Sequence, residues 1–172
     1  MAHPELADTS GITDLLARLR GRQITAVSRL AAVSADGEVP LLGTLALALG
    51  DGQVVLSYSQ DGLVHLGPTL EPRWPTEPHL RFRHSPGAEE WLELVTVESS
   101  AVVPPVPFTV DRAEAWVGIG DYAAVTVLAL ADLVVTTTDG FDLECVSREE
   151  ALSRAKSVAA ALGSTLVHVP AE

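Results

Sequence analysis

The chain has 172 residues, 23 Asp plus Glu against 11 Lys plus Arg, a single Cys, and 47% hydrophobic residues. Its length suits one hydrophobic core, its apolar content excludes disorder, and one cysteine excludes a disulfide scaffold. The formal net charge of -12 argues against nucleic acid, which needs clustered Lys and Arg, and against anionic membrane surfaces.

Residues 1–10 carry Glu5 and Asp8 and lack the basic stretch and apolar run of a signal peptide. Uncharged runs such as 39–50 and 99–110 fall short of the roughly 20 residues that span a bilayer. With Cys145 as a lone thiol, the expectation is a cytoplasmic protein. Residues 1–10 read as a tail and 11–170 as one α+β domain, with proline-rich excursions at 67–87 and 99–107.

Ile12, Leu15, Leu16 and Leu19 share one helical face, so a helix is predicted over 11–20. Thr9 or Ser10 can cap its start and Gly21 can stop it. Strands are predicted over 23–33, 39–49, 54–58 and 63–66. Asp-Gly at 36–37, 51–52 and 61–62 separates them, and a fourth Asp-Gly at 139–140 separates 133–138 from 141–146. Asp-Gly tolerates the positive φ of tight hairpin turns, so an antiparallel meander is expected. Five prolines between 68 and 86 argue against a central strand there, apart from 80–84. A strand is preferred from Leu92, although Glu89, Glu90 and Glu93 also fit one face of a short helix. Further strands are predicted over 113–118 and 123–131, joined by a turn at 118–122. Ser147-Arg-Glu-Glu150 reads as a capping box. Ala151, Leu152, Ala155, Val158, Ala159 and Leu162 then hold helical spacing, so a helix over 148–162 is expected, followed by a strand over 165–169. The fold class is α+β: a largely antiparallel sheet, curled or barrel-like, with an N-terminal and a C-terminal helix.

Chemical motifs are absent: there is no phosphate-binding glycine loop, nucleophile elbow or zinc-protease signature. The five histidines are scattered, and His79 and His84 face opposite sides of an extended strand, so no metal site is expected. Cys145 has no activating base nearby in sequence and reads as a buried, inert thiol, though His168 could approach it in space. The reading leans away from an enzyme, and no cofactor is expected.

Charge is unevenly distributed. Residues 1–86 carry 9 acids and 7 bases, whereas 87–172 carry 14 acids and 4 bases. Asp139, Asp142, Glu144, Glu149 and Glu150 make a candidate acidic binding face, with Trp91 or Trp116 as aromatic anchors. Opposed to it is one basic cluster, Arg73, Arg81 and Arg83 with Trp74, which could clamp a carboxylate or phosphate. In each case a merely solvated surface is the blander alternative.

The segment Arg29-Leu-Ala-Ala-Val-Ser-Ala-Asp-Gly37, then Pro40 and Gly50-Asp-Gly52-Gln-Val-Val-Leu-Ser57, resembles the opening hairpin of the pyridoxamine-phosphate-oxidase and flavin-reductase split barrels. That resemblance implies a flavin-type ligand. The family's phosphate-contacting basic residue has no counterpart in Tyr58-Ser-Gln-Asp-Gly62. In size, charge and α+β patterning the chain is also similar to small acidic bacterial immunity proteins. The first functional expectation is therefore a non-catalytic binding or inhibitor protein that recognises a protein partner, a basic one in keeping with the charge. The alternative is a small-molecule or flavin-type ligand-binding, split-barrel-like domain, with Arg81 and Arg83 holding an anion and Trp74 or Tyr58 stacking. A homodimer paired through exposed strand edges is a third reading.

Overall fold

The computed structural model describes residues 10–70, 80–82, 90–121, 123–138 and 142–170. Helix α1 spans Ser10–Leu19, and its buried face is Ile12, Leu15, Leu16 and Leu19, the stripe read from the spacing. Gly21, at φ +79°, ends it, and its N–H donates to the carbonyl of Val110.

Eight strands form the first sheet: β1 (Gln23–Ser34), β2 (Gly37–Pro40), β3 (Thr44–Leu49), β4 (Val54–Gln60), β5 (Leu63–Leu70), β6 (Leu80–Phe82), β7 (Glu90–Thr96) and β8 (Phe108–Thr109). Their order is β5-β4-β3-β1-β7-β6, with β2 and β8 pairing with β1, and every pairing is antiparallel. The second sheet has β9 (Ala113–Ile119), β10 (Ala124–Leu130), β11 (Leu133–Thr138), β12 (Asp142–Cys145) and β13 (Val167–Pro170), in the order β12-β11-β10-β9-β13. It too is antiparallel. Helix α2 (Arg148–Ala161) lies between β12 and β13 in sequence.

The α+β class holds, but among the described residues the sheet is neither single nor closed: two open sheets share one core. The reason is side-chain period. Val27, Arg29 and Ala31 of β1 alternate inward, as do Leu45 and Leu47 of β3, toward Leu128, Leu133 and Leu143 of the second sheet. The outward residues of the second sheet, Val125, Val127 and Val134, pack under Ala151, Ala155 and Ala159 of α2. Alanines let the helix approach closely: a Cβ on Gly118 would lie 2.8 Å from that of Ala159.

Three departures from the sequence reading have local causes. The strand expected over 39–49 is split, because β2 ends at Pro40 and a turn at 42–43 starts β3 afresh. Strand β5 runs through Pro68 to Leu70. Proline is tolerated because β5 is an edge strand, and the register shifts between its pairings to Val55 and Ser57. The capping box is half made. Ser147 Oγ accepts from the Glu150 N–H at 3.3 Å, while the Glu150 carboxylate turns to Arg154 at 2.6 Å. The strand preferred from Leu92 begins two residues earlier, at Glu90, and the strand expected over 165–169 begins at Val167. The Asp-Gly pair at 139–140 lies outside the described residues.

The Asp61-Gly62 turn does more than reverse the chain. Both residues have positive φ, +53° and +85°. The turn docks on β10: the Asp61 carbonyl accepts from the Ala124 N–H at 2.8 Å, and the Gly62 carbonyl from Thr126 Oγ1 at 2.7 Å. This is one of two seams that join the sheets. The other is built around Arg29.

Candidate binding cleft

Arg29 is the single charge in the otherwise uncharged run of β1, and it is almost wholly buried. A buried guanidinium must have its donors satisfied. Here all five are. Nε donates to Glu98 Oε2 at 3.0 Å, and Nη2 to Glu98 Oε1 at 2.9 Å and to the Leu143 carbonyl. Nη1 donates to the carbonyls of Leu42 at 2.8 Å and Thr44 at 2.9 Å. The Leu143 N–H returns a bond to the Leu42 carbonyl at 2.8 Å. Arg29 thus fastens β12 to the β2–β3 connection and to the chain just after β7. The Glu98 carboxyl is held below its ordinary value by the Arg29 hydrogen bonds, with its own backbone N–H and the Arg29 charge assisting, against the opposing effect of burial.

Beside this seam lies a cleft of about 930 Å³. Pro40 and Leu42 line it from the β2–β3 connection, Thr96 and Glu98 from the end of β7, and Asp142, Leu143 and Glu144 from β12. Helix α2 contributes Ser153, Arg154, Ala155, Ser157 and Val158, and Val125 and Thr137 complete the lining. Two apolar side chains stand open to solvent here, Leu42 at 47% and Val158 at 43% exposure. Val158 is a correction, because its helical spacing predicts a place in the core. The neighbouring alanines fill the contact with the sheet, and Val158 is left on the cleft side.

The cleft contains two guanidiniums, and both are occupied. Arg29 is saturated as above. Arg154 pairs with Glu144 at 3.0 Å and Glu150 at 2.6 Å. Among the described residues no side chain pairs with the Asp142 carboxylate. The predicted acidic face is therefore partly assembled: Asp142 and Glu144 line the cleft, Glu150 reaches it through Arg154, and Glu149 is exposed in the first turn of α2. Asp139 lies outside the described residues, as do Arg73, Trp74, Arg83, His79 and His84 of the predicted basic segment. Arg81 falls in β6, in register with Trp91 of β7.

The aromatic expectations fare differently. Tyr58 is stacked on His65 across β4 and β5, with ring centroids 5.3 Å apart, so one face of its ring is already covered. Trp116 is not a free anchor either. Arg148 lies 4.9 Å over its ring, and the His168 ring is 5.3 Å away. Both partners converge on buried Glu114: His168 Nε2 and Arg148 Nη2 each lie 3.0 Å from its carboxylate, and Arg112 lies at 3.8 Å. Burial pushes the Glu114 carboxyl up, but the bonds to His168 and Arg148 and the charges of Arg112 and Arg148 outweigh it and hold it below its ordinary value. This cluster clasps β13, β9 and the start of α2.

Cys145 and His168 do not meet. They sit on β12 and β13, opposite edges of the second sheet, and four strand spacings are about 19 Å. Burial raises the Cys145 thiol to about 11, as suits an inert core residue. Among the described residues no group of three or more His, Cys, Asp or Glu could hold a metal, and no helix is long and apolar enough to cross a membrane.

Sequence reasoning missed Arg29, Glu98 and Glu114 as organising residues. The signal for Arg29 was present, because a lone charge inside an apolar strand run must find buried partners. Comparison with known proteins adds no second source: no family model, curated protein or solved structure matches the chain.

Proposed function

We propose that the protein is a non-catalytic binding protein that recognises a protein partner of basic character through the cleft between β12, α2 and the β2–β3 connection. The observation that carries this reading is the state of the cleft's charges. Its two guanidiniums are committed to carboxylates, while Asp142 has no partner among the described residues. Such a lining repels anions and leaves a negative group for a cation. Glu149 and Glu150 extend the same sign beyond the cleft.

Affinity capture from native lysate tests this with three baits: the unaltered chain, Asp142→Lys, and Asp36→Lys on the β1–β2 turn, outside the cleft lining. The expected result is one protein retained at low salt by the first and third baits and lost from the second. Equal retention by all three, or by none, refutes the reading.

The cleft volume favours a second reading, a small-molecule site, since ligand pockets span roughly 300–1,000 Å³. Its ligand would be cationic or neutral rather than a flavin phosphate, because no unpaired base lines the cleft among the described residues. A thermal-shift screen in which amines raise the melting temperature, and flavins do not, would select this reading.

A further inference from the structure

We infer that the cleft is a docking groove for a partner segment that is apolar apart from one lysine or arginine, whose stem lies against Leu42 and Val158 and whose charge meets Asp142. This rests on the binding reading above and narrows it to the chemistry of the occupant.

Leu42 and Val158 come from different elements, yet both expose apolar surface to the same cleft, and removing that surface from water favours association. A lysine or arginine stem is apolar along its length and charged only at its end, which matches apolar walls with one carboxylate that has no partner among the described residues. An anionic end would instead meet Glu98, Asp142 and Glu144.

The backbone of β12 restricts how a partner can bind. Leu143 N–H donates to Leu42, the Leu143 carbonyl accepts from Arg29, and the Cys145 carbonyl accepts from Val102 N–H. The outward groups at 143 and 145 that would template an added strand are thus largely spent, so recognition runs through side chains. The source is a protein rather than a free amine because Glu149 and Glu150 lie outside the cleft lining, and only an occupant that extends past it gains from them.

Amide chemical shifts of the ¹⁵N-labelled 172-residue chain test this with four probes. Three are blocked peptides, Gly-Ser-Leu-Ala-X-Leu-Ala-Ser-Gly, in which X is Lys, Gln or Glu. The fourth is hexylammonium. The lysine peptide is expected to shift the amides of Leu42, Leu143 and Val158 saturably. It should bind about fivefold more tightly than the glutamine peptide, the glutamate peptide being weakest. Asp142→Asn should erase that advantage and Asp36→Asn should preserve it. Equal binding of the lysine and glutamine peptides overturns the charge assignment but leaves a binding cleft. Hexylammonium binding as tightly as the lysine peptide overturns the protein segment in favour of a small amine. No cleft shift with any probe removes both the inference and the reading beneath it.

Discussion

At the scale of single residues the fold depends on two buried charges, Arg29 and Glu114. Arg29 binds carbonyls from three separate chain positions and one carboxylate, so its removal strands several acceptors at once. Arg29→Leu is expected to cost about 3–5 kcal/mol in urea unfolding, because breaking a buried pair leaves unpaired groups behind. Glu98→Gln keeps an acceptor but loses the charge. Its cost should be about 1–2 kcal/mol at pH 7, discounted because the Glu98 side chain is 37% exposed. That cost depends on pH in a defined direction. The carboxyls of Glu98 and Glu114 are both depressed in the folded state, so their stabilisation is complete above the ordinary value of 4.5 and is lost as pH falls through the depressed values. Urea midpoints of the parent and Glu98→Gln should therefore converge toward pH 3. A gap that is constant from pH 7 to pH 3 would show that the charge at 98 contributes nothing.

At the scale of elements, turns and caps divide into those that only reverse the chain and those that also dock. Gly62 and Gly163 both have positive φ, +85° and +74°, so alanine strains both. They differ in surroundings. A Cβ on Gly62 would lie 1.7 Å from the Ala124 carbonyl oxygen, whereas one on Gly163 meets nothing within 4 Å. Gly163→Ala should cost about 1–2 kcal/mol, the backbone penalty alone. Gly62→Ala should cost clearly more and shift amides on β10. Similar melting temperatures for the two variants would contradict the docked turn. Ser147→Ala should cost about 1 kcal/mol through the lost cap on α2. Elements of this kind were legible in the sequence, because period and turn chemistry are local. The face of α1, the capped start of α2 and the Asp-Gly hairpins all follow from residues within a few positions of one another. The cleft was not legible. Its acidic members Asp142 and Glu144 were, but Leu42 and Val158 had been expected in strand and core, and which apolar residue stays uncovered is decided by packing between distant segments. The Arg29–Glu98 pair joins residues 69 apart, beyond any local pattern.

At the scale of the whole molecule, the two sheets share one core and are joined at both seams, so they should unfold together. Cys145 reports on this. Its thiol is 1% exposed and raised to about 11, doubly protected from alkylation. Iodoacetamide labelling should therefore proceed only through global opening, with an opening free energy equal to that from urea unfolding. Faster labelling in native buffer would reveal local release of β12.

The Arg29 seam also has a consequence for synthesis on the ribosome. The guanidinium is made early, but one of its acceptors, the Leu143 carbonyl, is 114 residues downstream. Until that residue leaves the exit tunnel, an emerging N-terminal sheet carries an inward-facing cation with an unfilled donor and an uncovered apolar face. No nascent chain shorter than β12 can reach the native arrangement of its first strand. The native seam around Arg29 therefore closes only once the chain has been made through β12, with α2 and β13 still to follow.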